Sequence, residues 1–259
     1  MRTMSAILLS LLIVSCNQEP NYVPNMVGAY LMTSQIINNG TMDSAISRKQ
    51  LKIFTDKYVM FASNTPRDSS AVYGIGQYKS KRGKVIEYIF YTSGSGDKRD
   101  TFELKIDTTA KGYKQVIDRI TVSGKTYKLT EEYNKVGSPV SSVLDGAWKQ
   151  IKNIYIRKKG DSSVNNNPIE FKIYQNGYFI WAITTKDSAK NNISFFGYGT
   201  FAMKGNNQSI ETVRNSSLIS GLVGRTYAID VEFPDADSYK QTITFASGDK
   251  SVEIYQKLK

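Results

Sequence analysis

The 259-residue chain contains no histidine. That removes the commonest general base and the commonest metal ligand. It contains one cysteine, Cys16. A single thiol builds neither a disulfide framework nor a thiolate metal site. Ser-His-Asp, Cys-His and the usual zinc arrangements are therefore excluded. No metal, cofactor or catalytic residue is expected, and the chain reads as a non-enzyme. A mechanism run by carboxylates alone remains formally open, but no second acid is legible beside a first. Long apolar runs are also scarce. Residues 6–14 read "AILLSLLIV", far short of the roughly 20 residues a transmembrane helix needs.

That short run follows the positive Arg2 and reads as a signal segment over residues 1–15. Its end, Ile13-Val14-Ser15-Cys16, resembles the bacterial lipobox. The resemblance implies lipidation of the Cys16 thiol, cleavage before it, and a membrane-anchored mature protein. Residues 16–27 then read as the lipidated cysteine and a tether, with Pro20 and Pro24 opposing helix and central strand. Asn17 follows the cysteine where some lipoproteins carry Asp. By the same resemblance this implies the outer membrane of the cell envelope, with the leaflet left open.

Basic residues outnumber acidic ones, 34 to 23, for a formal charge of +11. Lys79-Ser80-Lys81-Arg82-Gly83-Lys84 and Arg157-Lys158-Lys159 are local clusters. Either they attract anionic lipid, glycan or protein surfaces, or they are solvated hairpin tips and strand edges where lysine opposes aggregation. Nucleic acid is not an expected partner of an envelope protein.

What the chain does contain is itself, twice. "IFTDKYVMFA" at residues 53–62 returns as "IYQNGYFIWA" at residues 173–182. Gly28-Ala29-Tyr30 matches Gly146-Ala147-Trp148, and Lys52 matches Lys172. Tyr73-Gly74-Ile75-Gly76-Gln77-Tyr78 matches Phe196-Gly197-Tyr198-Gly199-Thr200-Phe201. Ile86-Glu87 matches Ile210-Glu211, and Tyr113-Lys114-Gln115 matches Tyr239-Lys240-Gln241. The order is kept while the offset drifts only from 118 to 126. So long a period makes each copy a domain, not a solenoid unit. The domains are residues 28–136 and 146–259, joined by a Gly, Ser and Pro-rich linker at 137–145.

Each copy alternates with period two in short runs divided by turn residues, which predicts all-β structure. Eight strands per copy are expected, with a tight hairpin at Asn176-Gly177. Residues 216–223 have room for one short helical turn. Eight meandering antiparallel strands can close into an up-and-down barrel; a sandwich is the alternative. The paired strand glycines Gly74/Gly76 and Gly197/Gly199 favour the barrel, because they permit sharp coiling.

Gly146-Ala147-Trp148 resembles the Gly-x-Trp signature of lipocalins, in which the tryptophan plugs the closed end. The run "FKIYQNGYFIWA" with "GYGTF" and "IETV" is similar to the short lipocalin-like domains of Bacteroidetes-type envelope proteins. The first copy departs from the pattern: Tyr30 stands for the tryptophan, and Asp56-Lys57 for Asn-Gly. The resemblance implies tandem lipocalin-like barrels in which Trp148, Gly146, Gly197 and Gly199 are structural.

Both faces of the repeated strand are apolar. Tyr58 and Met60 point one way, Val59 and Phe61 the other. One face lines the lumen, so the other needs cover, for which the neighbouring domain is the candidate. The aromatics either fill a solid core or line a pocket for a small apolar or amphipathic ligand. Candidate lining residues are Phe179, Trp181, Tyr198 and Phe201, with Phe61, Tyr73 and Tyr78 in the first copy. Glu87 and Glu211 face either wholly inward or wholly outward. If inward they need cationic partners, and Arg99 and Arg225 are the candidates. Two functions follow from different classes. One is ligand binding within a barrel, with the second copy favoured. The other is a solid module docking on an envelope protein or glycan.

Overall fold

The structure is a computed structural model, and it describes residues 22–64, 71–122 and 124–259. Cys16 and residues 1–15 lie outside the described residues. The first repeat folds as β1 (Gly28–Asn38), β2 (Asp43–Ala45), β3 (Lys49–Phe54), β4 (Tyr58–Asn64), β5 (Val72–Lys81), β6 (Lys84–Thr92), β7 (Asp100–Thr108), β8 (Gly112–Val122) and β9 (Lys125–Val136). The second folds as β10 (Gly146–Ile156), β11 (Ser162–Asn165), β12 (Ile169–Gln175), β13 (Tyr178–Lys186), β14 (Asn192–Lys204), β15 (Gln208–Ser216), β16 (Thr226–Asp235), β17 (Ser238–Thr244) and β18 (Lys250–Lys257).

Each repeat is a closed antiparallel barrel. Neighbours in sequence pair in order, and the first long strand also pairs the last, β1 with β9 and β10 with β18. Eight long strands close each ring, as the meander pattern predicts. Two further strands, β2 and β11, are not foreseen by the alternation pattern. These short strands pair only with the far halves of β1 and β10. All their side chains are exposed, so they carry no alternation of hydrophobicity to detect. The helical turn appears as a 3-10 turn at Ser220–Leu222.

The strand glycines act by close approach. The ladder between β14 and β15 shifts register between Tyr198 and Gly199. A Cβ on Gly199 would lie 1.9 Å from the Thr212 carbonyl oxygen, and one on Gly197 would lie 2.5 Å from the Trp181 indole. The first barrel repeats the device, with its shift between Ile75 and Gly76. The bulge bends the strand around the ring, and the missing Cβ leaves room for the ring of Trp181 or Phe61.

Alternation then sorts the two faces of β4 and β13. Val59 and Phe61, like Phe179 and Trp181, join the core inside their own barrel. Tyr58, Met60, Tyr178 and Ile180 join a third core that lies between the barrels. The neighbouring domain therefore supplies the cover. Leu51, Ile53 and Ala62 meet Phe171, Ile173 and Ala182 there, all buried. The Tyr73 hydroxyl lies 2.7 Å from Thr184 Oγ1, and Asn215 Nδ2 donates to Asn64 Oδ1 at 3.1 Å. Equivalent outer faces thus bury each other, which is why both repeats keep them apolar.

The segment read as a tether is partly built into the first barrel. Tyr22 donates its hydroxyl to the Ile106 carbonyl, 3.1 Å away, and accepts from the Thr108 amide. Met26 is buried in the barrel core. Leu144, near the end of the linker, takes the same part in the second barrel.

Candidate functional site

Closure brings one set of polar side chains into each lumen. In the first barrel β3 carries Lys52, β6 Glu87, β8 Gln115 and β9 Glu131 and Tyr133. All are buried. Lys52 Nζ lies 2.6 Å from Glu87 Oε1 and donates to Gln115 Oε1 at 3.2 Å. Gln115 Nε2 donates to Glu131 Oε2 at 2.6 Å, and Tyr133 donates to the same oxygen at 2.9 Å. Gln50 Nε2 donates to the Tyr133 hydroxyl, completing the chain.

The second barrel carries the same set on equivalent strands. Lys172 Nζ donates to Gln241 Oε1 at 3.0 Å. Gln241 Nε2 and the Tyr255 hydroxyl donate to Glu253 Oε2, at 2.6 and 2.8 Å. Several residues differ. Gln150 stands where the first barrel has Met32 and donates to the Tyr255 hydroxyl at 3.1 Å. Ser251 stands for Leu129 and donates to Glu253 Oε1 at 3.0 Å. Tyr174 replaces Phe54, and its hydroxyl donates to Glu211 Oε1 at 2.9 Å. The Lys172–Glu211 pair opens accordingly, to 3.9 Å against 2.6 Å in the first barrel. Glu170 replaces Gln50, which adds a carboxylate.

Glu170 Oε1 lies 2.6 Å from the Tyr255 hydroxyl, which also serves Glu253. Burial holds the Tyr255 hydroxyl well above its ordinary range, so it keeps its proton at neutral pH. It has only one proton to give. One of its two carboxyl contacts therefore needs a proton from the carboxyl side. Glu170 is the group that keeps one: burial first, and the Glu253 charge second, push its pKa up to about 8. A protonated Glu170 donates to Tyr255, as Gln50 donates to Tyr133.

Above this network the second barrel holds a cavity of about 260 Å³. Its walls are Trp181, Ile183, Val213, Tyr227, Ile229 and Ile243, and its floor is Glu170, Lys172, Glu211, Gln241 and Glu253. Leu218, Leu222 and Phe245 line it from the β15–β16 and β17–β18 connections. Leu218 and Phe245 are exposed, so this end opens to solvent. The opposite end is closed. Trp148 packs edge-on against Tyr239 there, with centroids 4.8 Å apart. Its indole N–H donates to the Leu144 carbonyl at 2.8 Å, and Lys257 Nζ sits 5.2 Å over the ring. A Cβ on Gly146 would lie 2.9 Å from the Lys257 side chain, so the glycine lets that lysine lie down.

The candidate residues divide by location. Trp181 and Glu211 line the cavity. Phe179 and Phe201 pack in the same barrel's core, where Phe201 meets the Tyr174 ring edge-on, centroids 4.9 Å apart. Phe61 and Tyr78 pack at the core of the first barrel. Tyr73 and Tyr198 are not luminal. They belong to the core between the barrels, because the bulge glycines and strand alternation turn them outward. Glu87 and Glu211 face inward, yet Arg99 and Arg225 are exposed. The partners are Lys52 and Lys172, which stand inside strands, whereas both arginines stand just before a strand begins. The lysines were detectable in principle. Each interrupts an apolar strand, "LKIF" and "FKIY", at the same place in both copies. Among the described residues no group of three or more Cys, Asp or Glu is arranged to hold a metal.

Residues 143–259 match a family model described as a domain of unknown function (DUF4488). That span contains the second barrel. No curated protein matches the chain. Among solved structures, a redesigned beta barrel is 15% identical, covering 47% of this chain and 97% of its own, with a TM-score of 0.31.

Proposed function

We propose that this is a lipid-anchored protein of the bacterial envelope whose second, lipocalin-like barrel holds a small amphipathic ligand. The observation that carries the ligand reading is the cavity, with apolar walls over a polar floor and one open end. Its volume, about 260 Å³, lies just below the roughly 300–1,000 Å³ of drug-sized sites, which suits a small ligand. The Gly146 and Trp148 closure supports the lipocalin-like reading, and the lipobox at Cys16 supports the anchor.

Two measurements test the two halves. Native mass spectrometry of protein purified from its host should find a small molecule retained by the second barrel. Substituting Trp181→Ala, which removes a wall of the cavity, should abolish retention. A chain that carries nothing, even when purified gently, overturns the ligand reading. Separately, Cys16→Ser should shift the protein from the membrane fraction to the soluble one. Unchanged membrane association overturns the anchor.

A further inference from the structure

We propose that the polar head admitted at the floor of the second barrel is a cation, which makes the ligand class a small amphipathic amine. This rests on the cavity reading above and specifies the chemistry of that same site.

The floor carries one cation and three carboxyl groups: Lys172 against Glu170, Glu211 and Glu253. Lys172 is already engaged. It donates to Gln241 at 3.0 Å and to Tyr174 at 3.3 Å, and it lies 3.9 Å from Glu211. An entering carboxylate would meet the charges of Glu211 and Glu253, beside the protonated Glu170, for the sake of this occupied lysine. Glu253 is satisfied by Ser251, Gln241 and Tyr255. Glu170 and Glu211 are more than nine-tenths buried, at 8% and 4% exposure. Each uses one oxygen, toward Tyr255 and Tyr174 respectively. Both residues line the open cavity, so a ligand there can reach their carboxyl groups.

Carboxyl groups that line a cavity favour a ligand that brings hydrogen-bond donors and opposite charge. An ammonium group supplies up to three N–H donors and a positive charge, and it meets both needs at once. The alkyl part then lies against Trp181, Ile183 and Ile229 toward the open end. The first barrel keeps Gln50 where the second has Glu170, and so offers one carboxylate fewer.

Binding should also move a proton. Around Glu170 stand Lys172 on its own strand, Glu211 on β15, Tyr239 on β17, and Glu253 and Tyr255 on β18. Lys172 alone among these is cationic. An incoming ammonium favours the ionised carboxylate, so Glu170 gives up its proton to solvent as the amine enters.

Isothermal titration of the whole mature chain with hexylamine, hexanol and hexanoate decides the matter. Hexylamine should bind about tenfold or more tightly than the other two. At pH 7 its heat should vary with the ionisation enthalpy of the buffer, which reports proton release. Glu170→Gln should remove the proton release and weaken hexylamine about tenfold at pH 8.5, while leaving hexanol unchanged. Hexanol or hexanoate binding as well as hexylamine overturns the inference while the cavity reading stands. No binding by any of the three removes both.

Discussion

Substituting Lys52→Met should destabilise the first barrel by about 3–5 kcal/mol, the usual cost of leaving a buried charge without its partner. Lys52 and Glu87 are 3% and 4% exposed and 2.6 Å apart. Methionine fills much of the space of the lysine stem, so the lost packing is small. What remains is a lumen in which Glu87 and Glu131 have lost the Lys52 charge. The Gln115 carboxamide oxygen also loses its donor. A typical domain has only about 5–15 kcal/mol to lose, so the effect should be plain in denaturant unfolding followed by far-ultraviolet circular dichroism. The double variant Lys52→Met with Glu87→Gln should recover a large part of the loss, because it removes the stranded charge. A single variant within 1 kcal/mol of the parent would show that this ion pair does not hold the lumen.

The second large effect concerns pH. Glu170→Gln should leave stability near pH 5 almost unchanged and raise it at pH 8.5 by an amount on the order of a few kcal/mol. The sign follows from proton binding. An unfolded glutamate has a pKa near 4.5, whereas Glu170 in the barrel is pushed up to about 8. Below that window both states hold the proton. Within it the unfolded chain has released its proton and the folded chain has not. Stability therefore falls as pH rises, by about 1.4 kcal/mol per unit at most, until Glu170 ionises. Glutamine keeps the donor and removes the titration, placing at this position the residue that the first barrel carries, Gln50. Both tryptophans, Trp148 and Trp181, lie in the second barrel, so tryptophan fluorescence reads the relevant unfolding. An equal stability gain at pH 5 and pH 8.5 would locate the effect somewhere other than this proton.

These two experiments act on residues that differ in how legible they were. Lys52 and Lys172 stand at matching places in matching strands, and inward or outward orientation was the sole unknown. A lysine between leucine and isoleucine in a strand buried on both faces has only the lumen in which to meet an acid. Glu170 carried no such signal. It replaces Gln50 at the head of a strand, where an exposed glutamate would look the same. Its character comes from Tyr255 and Glu253, 85 and 83 residues away along the chain. The arginines failed as partners for a related reason. They are near the glutamates in the order of strands, but they stand at strand ends, where side chains reach solvent.

By itself the sequence determined a doubled all-β chain, the alternation of its strand faces and its main turns, and it favoured closed antiparallel barrels over a sandwich. These follow from local chemistry: period-two patterning, tight turns and bulge glycines act over a few residues, and the repeat states the patterning and the paired glycines twice. Tertiary structure alone decided that Tyr73 and Tyr198 serve the contact between barrels and that lysines neutralise the luminal glutamates. It also decided that an apolar cavity opens over an acidic floor in the second barrel. Each of these depends on ring closure, which sets side chains from four strands within hydrogen-bonding distance. The strand pattern says which face a residue takes, but only the closed barrel says what it meets there.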